Sequence, residues 1–435
     1  MKKHTQSPYE SSKVSYKPSG IEWLGEIPQS WENVSIRSCF TESNQRCNTD
    51  SYPLLSVTIA NGIIYQDDIE NKKDISNDDK SNYKIVPLNA VAYNKMRMWQ
   101  GAVGVNTLTT GIVSPAYIVA IPNEKILPNF VSYLFKSKIM IGEFDKNSYG
   151  LCLDMNNLRY DDFRNIKIPL PPLQEQKEIA EFLDKKCEKI QNYIDKKQKL
   201  ITLLQEKKQT LINEVITKGL NPNIEFKNSG IEWLGEIPKH WEICKLNKIS
   251  YFINGYAFES SHFDYSFSIP VIRIGDIQND KIIYHTCLMT KEQENLKNFM
   301  IYRGDIVIAL SGATTGKFAV CNSNKKAYIN QRVAIIRSDI KILKYYLSTF
   351  GFANYIDMLC NGSAQPNIST KEVGNFKIPL PPLQEQKEIA EFLDKKCEKI
   401  NSVIEKTKKQ IELIKEYKNT LINEAVCGRI NLKRK

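Results

Sequence analysis

Residues 167–190 read KIPLPPLQEQKEIAEFLDKKCEKI, and residues 377–400 repeat that stretch without a change. Outward from it, SGIEWLGEIP at 19–28 returns at 229–238, and TLINE at 210–214 returns at 420–424. Every match lies 210 residues from its partner, so the chain is one cassette written twice. Each copy has an opening motif, a variable block of about 140 residues and a closing motif that runs into a long helix. Unselected drift after duplication would have eroded the 24 matched residues along with the rest.

The prolines of IPLPP stop the variable block, because proline lacks the donor that a strand or helix interior needs. A helix is expected to begin near Leu173. From Leu183 the apolar positions step alternately by four and three: Leu183, Cys187, Ile190, Ile194, Lys197, Ile201, Leu204, Lys208, Leu211, Val215. The second copy gives Leu393, Cys397, Ile400, Ile404, Thr407, Ile411, Ile414, Lys418, Leu421, Ala425. Eight of ten seam positions are apolar in each, the signature of a coiled coil. Parallel pairing in register would set Lys208 against Lys418, whereas antiparallel pairing separates them. The antiparallel choice predicts a pseudo-two-fold axis and a rod of roughly 60 Å, at about 1.5 Å per residue. On that expectation the rod holds two variable domains over two stretches of one duplex, which rises about 3.4 Å per base pair.

The two variable blocks do not resemble each other residue by residue. Both alternate short β-prone runs (90–93 and 112–120; 306–309 and 332–336) with turns of Gly, Ser, Thr and Asn. The expected class is α+β: two α/β recognition domains separated by two long helices that form an antiparallel coiled coil. The boundaries read as an N-terminal arm (1–19), a first recognition domain (20–165), a central helix region (166–227), a second recognition domain (228–375) and a C-terminal helix region (376–435).

At 435 residues and 42% apolar, the chain can bury real cores. The net charge of +11 points toward nucleic acid, but the large variable segments hold little of it. Residues 20–160 sum to −2 and residues 230–368 to +3, so if these segments bind DNA they do so through local patches. Ten cysteines without any CxxC pair fit reduced thiols rather than disulfides or zinc. No apolar run is long enough for a membrane span and the first residues lack the core of a signal peptide, so a cytoplasmic location is expected.

In both halves the opening motif SGIEWLGEIPxxWE (Trp31, Glu32; Trp241, Glu242), the closing PLPPLQEQKEIAEFLDKK and the LINE segment resemble the specificity subunit of type I restriction-modification systems. The second block adds INGYAFESSHF, IPVIRIGDI, RGDIVIALSGATTGK and GSAQPNIS, similar to that family's target-recognition domains. YNKMRMWQGAVG and GIVSPAY in the first block resemble another branch of them. One departure is Asn89-Ala90, which stands where the second copy has Gly304-Asp305. The resemblance implies a non-catalytic DNA-reading subunit of a restriction and adenine-N6 methylation complex. Each recognition domain would read one half of a bipartite asymmetric site in double-stranded DNA, with the paired helices as spacer. It further implies two modification subunits that carry S-adenosylmethionine, and restriction subunits, as partners. A rival from another class is a coiled-coil adaptor whose variable domains bind proteins.

Chemistry of its own is not written in the chain. Asn221-Pro222-Asn223 does not supply the motif that holds a flipped adenine. Residues 312–317 are one residue short of a phosphate loop, and Phe318 replaces its magnesium-holding hydroxyl. No cofactor or metal is therefore expected on this chain, and four scattered histidines suggest no acid–base site. The candidate DNA contacts are Lys95, Arg97, Trp99 and Gln100 beside Gly101, where the backbone can approach a groove closely. In the second block they are Arg273, Ser311, Thr314, Thr315, Lys317, Gln331, Arg332 and Gln365. Arginine or lysine suits guanine and glutamine suits adenine. Lys185, Lys186, Lys395 and Lys396 are further candidates for phosphates.

Overall fold

A computed structural model describes residues 15–47, 52–69, 80–150, 156–361, 366–430 and 432. The two long helices run Leu173–Lys218 and Leu383–Val426, each starting directly after a Pro-Pro pair. Gly219 and Gly428 follow their ends in the left-handed region, at φ 75° and 73°, a common way for a helix to close. No helix among the described residues is long and apolar enough to cross a membrane.

The chain divides into two compact units, Met1–Lys197 with Lys409–Lys435, and Gln198–Lys408. Each unit thus holds one recognition domain, the start of one long helix and the end of the other. The helix direction follows from contacts inside each unit. In the first, Lys418 lies close enough to Cys187 to offset part of the rise that burial gives its pKa. In the second, Lys208 donates to Asn401 at 3.1 Å. Neighbours on the second helix fall in number as positions on the first rise, so the pair is antiparallel. Leu183 and Leu393 are fully buried, and every seam position is buried or half-buried. Thr407, a polar seam residue, is buried and satisfies its hydroxyl on the Val403 carbonyl one turn back.

Despite their dissimilar sequences, the recognition domains share a four-stranded antiparallel sheet. In the first domain it is built from β1 (Phe40–Ser43), β2 (Val91–Asn94), β3 (Val103–Val105) and β4 (Tyr117–Pro122), in the order β1-β4-β2-β3. In the second, β5 (Tyr251–Asn254), β6 (Ile306–Ala309), β7 (Phe318–Val320) and β8 (Val333–Arg337) stand as β5-β8-β6-β7. The register agrees as well: Asn94 at the end of β2 faces Tyr117, and Ala309 at the end of β6 faces Val333. The apolar run at 112–120 is not one strand, since Ser114-Pro115 breaks it into Gly111–Val113 and β4. Asn89 takes a left-handed φ of 68° where Gly304 takes 97°, so the departure noted in the sequence keeps the same turn.

The repeated motifs build the joints between domains and helices. Opening and closing motifs pair as two-stranded antiparallel ribbons, Glu32↔Leu170 through Ser35↔Lys167 and Glu242↔Leu380 through Lys245↔Lys377. Trp31 Nε1 donates to Glu175 Oε2 at 2.7 Å, and Trp241 Nε1 donates to Glu385 Oε2 at 2.9 Å. Tyr133 and Tyr345 donate to Asp184 and Asp394, each at 2.6 Å. In the second unit one core joins Trp241, Ile308, Phe376 and Leu393 to Ile212, Val215 and Ile216. The second domain is therefore packed on both helices of its unit. At about 1.5–3 kcal/mol for each large apolar side chain buried, this contact far outweighs any surface ion pair.

Candidate nucleic-acid interface

The shared register makes two loops equivalent. Residues 95–102 connect β2 to β3, and residues 310–317 connect β6 to β7. Each is closed by the same backbone bond, Asn94 N–H to Ala102 O at 3.0 Å and Ala309 N–H to Lys317 O at 2.8 Å. Both are also held by the segment leading to the closing motif: Leu158 N–H donates to Lys95 O, and Ile368 N–H to Leu310 O, at 2.8 Å. Gly101 and Gly316 are equivalent too, with φ 88° and 81°. A Cβ on Gly101 would stand 2.8 Å from Ile141 Cδ1, and one on Gly316 2.6 Å from Ile356 Cγ2. The expectation that Gly101 opens the backbone to a groove is corrected here: the glycine lets the loop close onto the domain's own helix.

In the first domain the loop bonds to itself. Met96 N–H donates to Asn94 Oδ1, and Trp99 Nε1 to Met96 O, both at 3.0 Å. Met98 is fully buried, Trp99 half-buried and Met96 half exposed, so only Met98 belongs to the core. Arg97 and Gln100 are exposed and Lys95 partly so, and among the described residues these three side chains make no hydrogen bond or ion pair. Sequence reasoning missed two neighbours. Burial lowers the pKa of Lys84; Glu42, 3.9 Å away, opposes this, and Arg46 and Lys95 add to it. Lys84, Lys95 and Arg46 thus share one electrostatic neighbourhood. No spacing in the sequence joins them, because three separate segments bring them together.

In the second domain four segments converge. Arg273 follows the strand Ile269–Ile272, and the next turn, Ile274–Asp276, packs against Gly312–Thr314. Gly312 N–H donates to Pro366 O, and Leu310 N–H to Arg332 O, both at 2.9 Å. The structure thus gathers Arg273, Ser311, Thr314, Thr315, Lys317, Gln331 and Arg332, while Gln365 lies outside the described residues. Their states differ. The Arg273 guanidinium is committed to the buried Asp276 (3.3 Å) and to Thr286 O (2.9 Å). Thr315 donates to Gly312 O at 2.7 Å, while Ser311 and Thr314 carry buried hydroxyls without a partner among the described residues. Lys317, Gln331 and Arg332 are exposed, and no hydrogen bond or ion pair ties their side chains among the described residues. The signal for Arg273 was local, since Asp276 stands three residues on and also accepts its backbone N–H at 2.9 Å. Of the four helix lysines proposed for phosphates, Lys186 and Lys396 lie over Phe182 and Phe392, at 5.7 and 5.4 Å from the ring centres. Lys185 and Lys395 are exposed.

Exposed cations and amides on loops fixed at both ends suit phosphate oxygens and base edges, and the arrangement occurs once in each unit. Comparison with known proteins agrees with this doubling. Residues 28–203 and 238–413 each match the type I restriction modification DNA specificity domain. The type I restriction enzyme MjaVIII specificity subunit of Methanocaldococcus jannaschii is 34% identical over 334 residues, 74% of this chain and 75% of that one. The putative MjaX specificity subunit of the same organism is 27% identical over 444 residues, 94% and 96% of the two chains. A solved chain from a study of complex assembly and conformational transition of the type I R-M system superposes with a TM-score of 0.69 at 18% identity, covering 93% of this chain and 99% of that one. The HsdS subunit from Thermoanaerobacter tengcongensis gives 0.50 at 19% identity, covering 93% and 98%. At these identities the structural likeness speaks for the fold alone. With the domain matched in both halves, the chain belongs to the type I restriction-modification DNA specificity family.

Proposed function

We propose that this chain is the non-catalytic subunit that reads DNA sequence for a type I restriction-modification complex, each recognition domain reading one half of a bipartite site. The observation that carries the reading is a shared sheet, with one register, that presents different exposed side chains from equivalent loops in the two units. A protein-binding adaptor would not need two copies of one frame with loops of differing hydrogen-bonding chemistry.

The helices, at 46 and 44 residues, are the spacer in this proposal. They also offer docking for modification subunits. The first unit exposes Tyr193, Leu413 and Tyr417 on its helices, and the second exposes Leu203 and Val403 at the repeat-related positions. Two such patches fit two modification subunits, which would bring S-adenosylmethionine and the methylation chemistry; restriction subunits join them for cleavage, in the cytoplasm. The test is exchange of residues 30–160 for another recognition domain, followed by sequencing of methylated adenines in DNA exposed to the assembled complex. One half-site should change and the other stay; a simultaneous change in both would refute independent reading.

A further inference from the structure

A contact to phosphate needs the same chemistry wherever it is made, because every phosphate is alike, whereas a contact that reads bases must differ between two domains that read different sequences. The shared register allows residues of the two domains to be compared on that criterion. Immediately before β4 and β8 each domain makes the same turn: Tyr117 N–H donates to Ser114 O at 3.0 Å, and Val333 N–H to Asn330 O at 2.8 Å. The two central residues of that turn are Pro115 and Ala116 in the first domain and Gln331 and Arg332 in the second. One pair presents no hydrogen-bonding side chain, and the other presents a carboxamide and a guanidinium.

The turn in the second domain is held firmly. Asn330 N–H donates to Ile272 O at 2.9 Å, and Gly255 N–H to Val333 O at 3.0 Å. A Cβ on Gly255 would come within 2.0 Å of Asn330 O, so that approach is as close as two backbones allow. On this platform Gln331 and Arg332 are both exposed, with no side-chain partner among the described residues. Arg273 beside them is occupied by Asp276 and Thr286.

Resting on the reading of the chain as a DNA-sequence subunit, we infer that the Gln331–Arg332 turn reads base edges in the major groove for the second half-site. Arg332 is the bidentate partner of a guanine and Gln331 that of an adenine. Arg273 is a positioning residue that fixes the neighbouring Ile274–Asp276 turn.

The experiment uses the full chain assembled with its modification subunits, acting on a library of duplexes randomised across the site. Arg332→Lys keeps the charge and loses the planar fork, Gln331→Ala removes the amide, and Lys317→Ala serves as an exposed cation in the adjacent loop. Arg332→Lys and Gln331→Ala should each lower discrimination about ten-fold or more at a single position of the second half-site. The first half-site should be untouched. Lys317→Ala, in the adjacent loop, should leave discrimination at those two positions unaltered; a loss there equal to that of the turn variants would overturn the assignment to the turn. Unaltered discrimination in both turn variants, or even weakening across all sequences, would overturn the inference and leave the general reading standing. A wild-type complex that methylates without sequence preference would overturn both.

Discussion

At the joint with its helix, the first recognition domain ties Trp31 to Glu175 and Tyr133 to Asp184; the second ties Trp241 to Glu385 and Tyr345 to Asp394. At the loops the two domains share only a backbone. Residues 95–102 carry Lys95, Arg97 and Gln100, and residues 310–317 carry Ser311, Thr314 and Lys317, yet both close on a left-handed glycine packed against a helix. A joint must meet the same partner in both halves, so its chemistry is held to the residue. A loop that meets different partners keeps only the path of its chain. On the proposed reading, identical residues in this molecule mark where it is assembled, and equivalent backbone with different residues marks where it would read DNA.

The joints supply the largest effect by which that comparison can be broken. Trp31 and Trp241 are 2% and 0% exposed, and each ring nitrogen holds a glutamate of the closing motif. Trp31→Ala and Trp241→Ala should each destabilise their own unit by about 3–5 kcal/mol, and by similar amounts. Hydrogen exchange read separately in the two recognition domains would measure it. A loss under about 1 kcal/mol in one half with a full loss in the other would show that equal geometry does not mean equal anchoring.

A smaller effect belongs to the first domain alone. Lys136 donates to the carbonyls of Thr58, Ile59 and Gly101, and burial holds its pKa down at about 8. The corresponding position in the second domain, just before the residue that caps the next helix, is Ser348. An unfolded lysine titrates near 10.4, so between about pH 8 and pH 10 the unfolded chain binds more protons than the folded one. Through this group, stability of the first domain rises with pH across that window, by less than the limit of about 1.4 kcal/mol per pH unit for one proton. Unfolding followed from pH 7 to pH 10 should show that rise reduced in Lys136→Met, with the second domain unaffected. An unchanged slope would remove Lys136 as its source.

The seam and the doubling were legible because they depend on spacing alone, and every four-three position is buried or half-buried. The strand at 306–309 was legible as a short apolar run, while the run at 112–120 is divided by Ser114-Pro115, a local signal that outweighs its apolar character. The tryptophan–glutamate bonds left a trace, since both span 144 residues between repeated motifs. The site was less legible. Asp276 is a local partner for Arg273, but its second bond needs Thr286, thirteen residues on, and the closure of Gly101 needs Ile141, forty residues on. That the two loops are equivalent is visible only in the strand register, which no residue match between the variable blocks records.

The smallest expected effect tests the claim that backbone path outlives residue identity. Asn89 and Gly304 precede β2 and β6 at the same turn, both with positive φ, and nothing lies within 4 Å of where a Cβ on Gly304 would stand. Clashes with other segments are thus absent, and only the local cost of a left-handed backbone separates the residues. Asparagine tolerates that region better than other residues with a Cβ, because its short amide can bond locally. Gly304→Asn should then cost under about 1 kcal/mol and Gly304→Ala about 1–2 kcal/mol, with Asn89→Gly within about 1 kcal/mol of neutral. Thermal unfolding of the three variants would rank them. If Gly304→Asn proved as damaging as Gly304→Ala, the two turns would share a shape for different reasons, and the equivalence drawn from Asn89 would fail at that position.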